Sequence, residues 1–265
     1  ASSPPEKRAL SPFDKAAKMI SVKEVMISVI IPAHNEERYL GDCLGAVDEA
    51  TRHTSLPVET VVVLNRCTDG TAAIARSWGS RTVEEPAANL SIIRNAGVRA
   101  ARGDIIVTID ADSRMSPRML AEVERRLARP GTVGGGVMVY LNRWSLGICA
   151  SVLVLLPFVA WYGVSAGMFW CRKRDFDAIG GFDEEMVSVE DVDFGRRLKR
   201  YGRRNRMRYQ TIWNASITTS ARKFDHFGDW FLVKDPMLCV RAFRGNHRET
   251  ADRLWYAFKG RSNRP

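Results

Sequence analysis

The sequence predicts an α/β fold: a Rossmann-like, mainly parallel central sheet flanked by helices, with a helical, basic C-terminal extension. Three observations predict it. Runs of β-branched residues alternate with segments of helical spacing three times over. Those runs read as apolar on both faces, as strands covered on both sides by helices do. A polar cluster follows each run, at the carboxyl ends where ligands of such sheets bind. Three stretches are expected: a polar extension over 1–25, one domain over 26–220, and a helical, basic and aromatic segment over 221–265.

The first strand is "ISVII", 27–31, ended by Pro32, and "PAHNEE" follows it. "YLGDCLGAVDEAT", 39–51, has apolar residues at helical spacing. "ETVVVLN", 59–65, is the second strand. In "CTDGTAAIARSWG", Thr68 or Asp69 can cap a helix that stops at Gly79. "LSIIRNAGVRAARG", 90–103, is a further helix with a glycine stop. "DIIVTIDAD" is the third strand. "SPRMLAEVERRLARPG" is a helix with Ser116 as N-cap and Pro117 in its first turn. Each polar cluster taken alone can be a turn, because Asn, Asp and Gly are turn formers. Three of them on one rim point to a site.

The 265 residues suit one large domain or two small ones. A formal charge of +10 points to an anionic partner: a phosphate-bearing substrate, a membrane surface or a nucleic acid. Cys43, Cys67, Cys149, Cys171 and Cys239 are scattered, odd in number and without a CxxC pair, as free thiols in a reducing compartment are. The polar, Pro-rich start has no apolar leader core. A cytoplasmic location is expected, with peripheral contact on the inner face of the plasma membrane. The uncharged stretch "LGICASVLVLLPFVAWYGV", 146–164, is read as a buried or interfacial helix. A membrane span and an oligomer contact, such as a homodimer, are the alternatives.

Asp110 and Asp112 end the third strand. In extended chain both side chains would point the same way, where two carboxylates repel unless a cation joins them. Mg²⁺ or Mn²⁺ would satisfy both, with a substrate diphosphate completing the shell; a solvated turn capped by Asp112 is the alternative. Arg94, one connection upstream, can meet a phosphate. "VEDVDFGRRLKRYG" reads as a helix with Val192, Leu198 and Tyr201 toward apolar contacts and its arginines outward. Glu190 and Asp191 sit at its N-terminal end, where the dipole favours the ionised form and so suits a general base. Simple complementation of the dipole is the other reading. "GRRLKRYGRRNRMR", 195–208, holds eight Lys or Arg and no acid, as either a solvated face or a contact for anionic headgroups does. Residues 227–258 interleave Phe227, Trp230, Phe231, Phe243, Trp255, Tyr256 and Phe258 with arginine.

Taken in order, "SVIIPAHNEE", "VVVLNRCTDGT", "RNAGVRAARGDIIVTIDADS", "GGFDEE" and "VEDVDFGRRLKRYGRR" resemble the family 2 glycosyltransferases, which have the GT-A fold. The resemblance implies inverting transfer of a sugar from a nucleotide-diphosphate-sugar donor, a UDP- or GDP-sugar, to an acceptor hydroxyl. It implies Mg²⁺ or Mn²⁺ as cofactor. By the same resemblance Pro32, Ala33, Glu36 and Asn65 hold the nucleoside and Arg94 lies near the nucleotide. Asp110 lies near ribose and metal, Asp112 is a metal ligand, and Asp191 is the base, with Glu190 beside it. Leu64 and Asn65 stand where the family often has two acids, and the Asn amide, donor and acceptor at once, can replace a carboxylate in base recognition. GT-A enzymes commonly draw a third metal contact from the C-terminal region, and His226 is offered there, with Arg222 for the diphosphate. The QxxRW mark of processive members is absent, so single-sugar transfer is expected. The acceptor is not named by the sequence; a lipid-linked or anionic one fits the basic charge. A retaining GT-A transferase would share the metal pair without needing Asp191. A sugar nucleotidyltransferase would need a Gly-rich basic loop after the first strand, and "PAHNEE" is not one. A nucleic-acid-binding protein would leave the rim acids unexplained, so no nucleic-acid partner is expected.

Overall fold

A computed structural model describes residues 25–162, 167–186 and 188–235. The extension expected over 1–25, except Val25, lies outside the described residues, as do Cys239, Phe243, Trp255, Tyr256 and Phe258.

One half of the sheet is parallel. It consists of β1 (Ile27–Ala33), β2 (Val58–Leu64), β3 (Arg81–Glu84) and β4 (Ile105–Ile109), side by side in the order β3-β2-β1-β4. Both faces are covered, and alternation along β1 shows how. Ile27, Val29, Ile31 and Ala33 enter one core while Ile30 enters the other, with Val61 and Val63 of β2. The first core is closed by α1 (Leu40–Thr51) and α4 (Met119–Leu127), the second by α3 (Leu90–Ala100) and α7 (Glu190–Arg204). Helix α3 presses close because Gly97 has no side chain: a Cβ there would collide with Ile30 and lie 2.8 Å from Val63 Cγ2.

The other half is mostly antiparallel. β7 (Met168–Arg172) runs antiparallel to β4, and β6 (Thr132–Leu141) antiparallel to β7. β8 (Arg208–Thr219) is parallel to β6 with two register shifts, and β5 (Ser113–Met115) forms the far edge on β8. The sheet is thus mixed, with its parallel pairs concentrated where the sequence places them. The shorter helices are α2 (Thr71–Ser77), α6 (Lys173–Ala178), α8 (Arg222–Phe227) and α9 (Phe231–Lys234), with α5 (Leu146–Tyr162) the longest stretch without charge.

Several local expectations change. β1 continues through Pro32 to Ala33; its pairing with β4 ends at Ile30, so the proline falls where the ladder is one-sided. β4 stops at Ile109, and Asp110–Asp112 form a turn closed by the Ser113 amide donating to the Asp110 carbonyl (3.0 Å). The two acids are therefore not on one face of an extended strand. Ser116 does not cap α4; its hydroxyl accepts from the Ser216 amide of β8 (3.2 Å). Helix α3 ends at Ala100, before Gly103, whose bareness instead admits Ser28 and the Met26 carbonyl. Its N-cap is Asn89, which accepts from the Ile92 amide. On α7, Phe194 and Leu198 are the buried apolar residues. Arg197 turns inward to the carbonyls of Ile179 and Gly181 (2.8 and 2.6 Å).

Among the described residues no helix is long and apolar enough to cross a membrane.

Candidate active site

The carboxyl ends of β1 and β2 are knitted into one rim. The Thr68 amide donates to Asn35 Oδ1 (2.8 Å), the Glu36 amide to Thr71 Oγ1 (2.8 Å) and the Gly70 amide to Glu37 Oε2 (2.8 Å). Asn35 and Arg66 hold left-handed backbone there, a conformation that Asn tolerates better than most residues. Pro32 and Ala33 lie beneath this rim, and the Ala33 carbonyl accepts from the Asn65 amide (2.8 Å). Asn65 is fully buried, and both of its side-chain hydrogens are committed to the backbone, at the Glu85 and Ala87 carbonyls (2.6 and 2.8 Å). Its amide thus fixes the chain after β3, while its Oδ1 accepts from Arg66 Nε and Nη2 (3.4 and 3.5 Å).

Two arginines join the acids of the rim. Arg94, from α3, is almost wholly buried and donates from Nη2 to Asp110 Oδ1 (2.9 Å) and from Nη1 to Glu190 Oε1 (2.7 Å). It also lies over the Phe182 ring, 5.2 Å from the centroid. Arg222, at the start of α8, forks onto Glu36 with bonds of 2.6 and 2.9 Å. Its Nη2 is also 2.9 Å from Asp112 Oδ2. The charge of the paired acids is therefore held by guanidiniums from two different directions. Burial alone would push both arginines down. Asp110 and Glu190 outweigh it at Arg94, and Glu36 and Asp112 at Arg222, so both stay charged.

Helix α3 also grips the loop that leads to α7. Asn95 Nδ2 donates to the Phe182 carbonyl and its Oδ1 accepts from the Phe182 amide, both at 2.9 Å. Asn89 Nδ2 donates to the carbonyls of Glu184 and Met186. Gly181 is left-handed (φ +67°) and packs on Asn95, so a side chain there meets both obstacles. Phe182 then stacks on Phe194 of α7, ring centroids 4.3 Å apart. Val189, immediately before α7, has φ +52°, a strained backbone for a β-branched residue. The Glu190–Asp191 pair is thus delivered by a gripped loop and a strained junction.

Burial pushes the carboxyls of both Glu190 and Asp191 above the ordinary range, and the Arg94 charge opposes this without cancelling it. Repulsion from Asp191 adds to the rise at Glu190, and repulsion from Asp110 to that at Asp191. The expectation that the helix dipole keeps the pair readily ionised is therefore corrected: desolvation is the larger effect. Asp191 Oδ1 accepts from its neighbour's amide, Val192 (2.8 Å).

The structure brings Glu36, Arg94, Asp110, Asp112, Glu190 and Asp191 into one charged rim. Among the described residues no three His, Cys, Asp or Glu side chains gather as a metal cluster. His226 is thus not brought into a triad with Asp110 and Asp112; it lies on α8 with its ring edge-on to Phe227 (4.7 Å). A hard divalent ion needs only one or two carboxylates when phosphate and water complete its shell. Asp110 and Asp112 are carboxylates of that kind, and each already faces a guanidinium. Sequence reasoning missed two things: that Arg222 reaches back to Glu36 and Asp112, and that Asn89 and Asn95 hold the loop. Asn89 is the N-cap of α3 and Asn95 lies six residues on, a spacing that marks no common helix face, so no local signal in the sequence pairs them.

Residues 28–148 match the family model described as Glycosyl transferase family 2. Among curated proteins, an uncharacterized glycosyltransferase of Mycobacterium tuberculosis is 34% identical over 103 residues, 37% of this chain and 44% of that one. An undecaprenyl-phosphate 4-deoxy-4-formamido-L-arabinose transferase of Pseudomonas fluorescens is 31% identical over 163 residues, 57% of this chain and 46% of that one. The chain spans less than half the length of these relatives. Of solved structures, S. aureus TarS 1–349 in complex with UDP-GlcNAc superposes with a TM-score of 0.58 at 17% identity, over 88% of this chain and 71% of that one. A mannosyltransferase from Pyrobaculum calidifontis, in complex with GDP-Man and Mn²⁺, gives 0.56 at 17%, over 90% and 76%. At such identities the likeness is one of fold.

Proposed function

We propose that this protein transfers a single sugar, with inversion, from a nucleotide-diphosphate-sugar to an acceptor hydroxyl; residues 28–148 match the Glycosyl transferase family 2 model, and the fold is like those of TarS with UDP-GlcNAc and of the mannosyltransferase with GDP-Man. One observation carries the reading: Arg94 ties Asp110, at the end of β4, to Glu190, at the head of α7. It sets the acids that would face a donor beside the acids that would face an acceptor.

On this reading Asp191 is the general base. The acceptor oxygen attacks the anomeric carbon and gives its proton to the Asp191 carboxylate. The bond from that carbon to the diphosphate oxygen breaks, and its electron pair leaves with the diphosphate. Glu190, already bound to Arg94, positions α7 and is the next residue to test as base. Pro32, Ala33, Glu36 and the Oδ1 of Asn65 line the nucleoside side, and Arg222 faces the diphosphate. Mg²⁺ or Mn²⁺, held by Asp110 and Asp112, would supply Lewis-acid stabilisation of the leaving diphosphate. The nucleotides named with the TarS and mannosyltransferase structures support UDP or GDP as the donor's carrier. The undecaprenyl-phosphate transferases among the relatives support a lipid-linked acceptor.

A thermal-shift series with UDP, GDP and their sugars, with and without Mn²⁺ or Mg²⁺, tests the donor half. A ligand bound only by the native state raises the melting temperature. Nuclear magnetic resonance of the product's anomeric proton tests the rest. Retention of the donor's configuration would overturn the role of Asp191.

A further inference from the structure

Helix α5 presents an unusual outward face. Its inner face is well seated: Ile148 is fully buried with Ala221 and Phe224, and Ser151 Oγ donates to the Asp229 carbonyl (2.8 Å). Leu146, Leu153 and Leu156, at positions i, i+7 and i+10, form a stripe on the other side and are 83%, 64% and 50% exposed. A helix on a water-facing surface carries polar residues there. This one has no charged residue from 146 to 162.

The surroundings match an interfacial setting. Trp144, just before α5, Trp230, packed on Gly147, and Tyr140, at the end of β6, are all about half exposed at the same corner. Such aromatic residues favour the boundary between headgroups and acyl chains. The described 17 residues of α5 span about 25 Å at 1.5 Å each, less than the roughly 30 Å of a bilayer core. The described part of the helix is too short to cross and suits lying on a membrane. Lys234 flanks the corner, Arg143 beside it is held by Asp225 and Asp229, and the chain as a whole carries a formal charge of +10, which complements an anionic surface. The corner is also continuous with the rim. The Asn142 amide donates to the Thr219 carbonyl and the Ser220 amide to the Asp112 carbonyl (3.0 and 3.2 Å).

We propose that the corner formed by the end of β6, the outer face of α5 and Trp230 docks on an anionic lipid bilayer. Docked this way, the protein presents its rim to molecules embedded in the membrane. That last step rests on the transfer reading above; the docking itself does not.

The test is co-sedimentation of the full chain with vesicles of phosphatidylcholine alone or mixed with phosphatidylglycerol. Nucleotide binding by calorimetry is the parallel readout. The full chain should sediment with the mixed vesicles and far less with the neutral ones. Leu153→Gln with Leu156→Gln should lower the partition coefficient at least about tenfold, from lost apolar burial, and Trp144→Ser should act in the same direction. Nucleotide affinity should be unchanged in both variants. If the full chain ignores both vesicle types while still binding nucleotide, the docking proposal is wrong and the transfer reading stands. If light scattering shows a dimer that the leucine variant dissociates, the face belongs to a second copy of the chain, and the proposal is equally overturned. Membrane binding without any nucleotide affinity would support the docking and remove the transfer reading.

Discussion

Asp191 carries two opposed demands. In the proposed role of base it would have to be ionised, yet burial favours its neutral form. Asp191→Asn keeps the shape and removes the proton acceptor, so sugar transfer should fall by about 10²- to 10⁴-fold. Donor affinity, measured by calorimetry, should change far less. Transfer within threefold or so of wild type, with chemistry limiting, would move the role to Glu190. The pH dependence follows from the direction of the shift. Transfer should rise with pH along a limb that lies above the ordinary aspartate value of 3.8, and that limb should vanish in Asp191→Asn. Stability runs the other way. A carboxyl raised on folding contributes stability that is full below its unfolded value and is lost as pH rises through its folded value. Asp191→Asn should therefore melt at or above the wild-type temperature at neutral pH, and the two curves should converge in acid. A variant less stable than wild type at neutral pH would mean that Arg94 compensates the buried charge more fully than burial penalises it.

Helix α3 is the element on which the site depends, and its seat on the sheet is set by one missing side chain. Gly97→Ala places a methyl against Ile30 and Val63. It should cost about 1–3 kcal/mol in denaturant unfolding. Because Arg94 and Asn95 lie on the same helix, nucleotide affinity should weaken too; a stability loss with unchanged affinity would show that the helix adjusts without moving its polar face. The parallel half of the sheet was legible in the sequence because β1, β2 and β4 are β-branched runs with both faces buried. β3 was missed: "RTVE" is four residues at an edge, too short to show a period. β6 was missed for a different reason. Its "GGG" reads as a turn, but Gly135 is there because a Cβ would strike the Gln210 carbonyl of β8. β8 itself is polar and half exposed, so alternation is weak. The acids proposed for the site stand out by position, since they follow strands or open a helix. Their partner Arg222 was assigned to the diphosphate, because its bond to Glu36 depends on the fold and leaves no local mark.

At the scale of the whole molecule, donor and metal should stabilise the protein together. A nucleoside diphosphate with Mn²⁺ should raise the melting temperature more than either alone, and excess chelator should return it to the nucleotide-only value. An increment indifferent to chelation would argue against the Asp110–Asp112 pair as metal ligands. Arg222 binds the first turn of the rim from the far end of the described chain. Removing it takes away the guanidinium that forks onto Glu36, a carboxylate only 2% exposed, so Arg222→Ala should destabilise by about 3–5 kcal/mol. Glu36→Gln in the same chain should recover part of that loss, since the buried charge that Arg222 faced is gone; strictly additive effects would show that the two residues do not depend on each other. The length of chain between these partners also sets an order in time. A polypeptide growing from its N-terminus completes β1, β2 and β4 early, while the acids of the rim still lack the guanidinium that closes them. Until residue 222 has been synthesised and has folded back, the nascent protein has a sheet but an unfinished rim. Competence to hold a donor would thus arrive late in synthesis, and a ribosome stalled before that point would display a chain whose rim is still open.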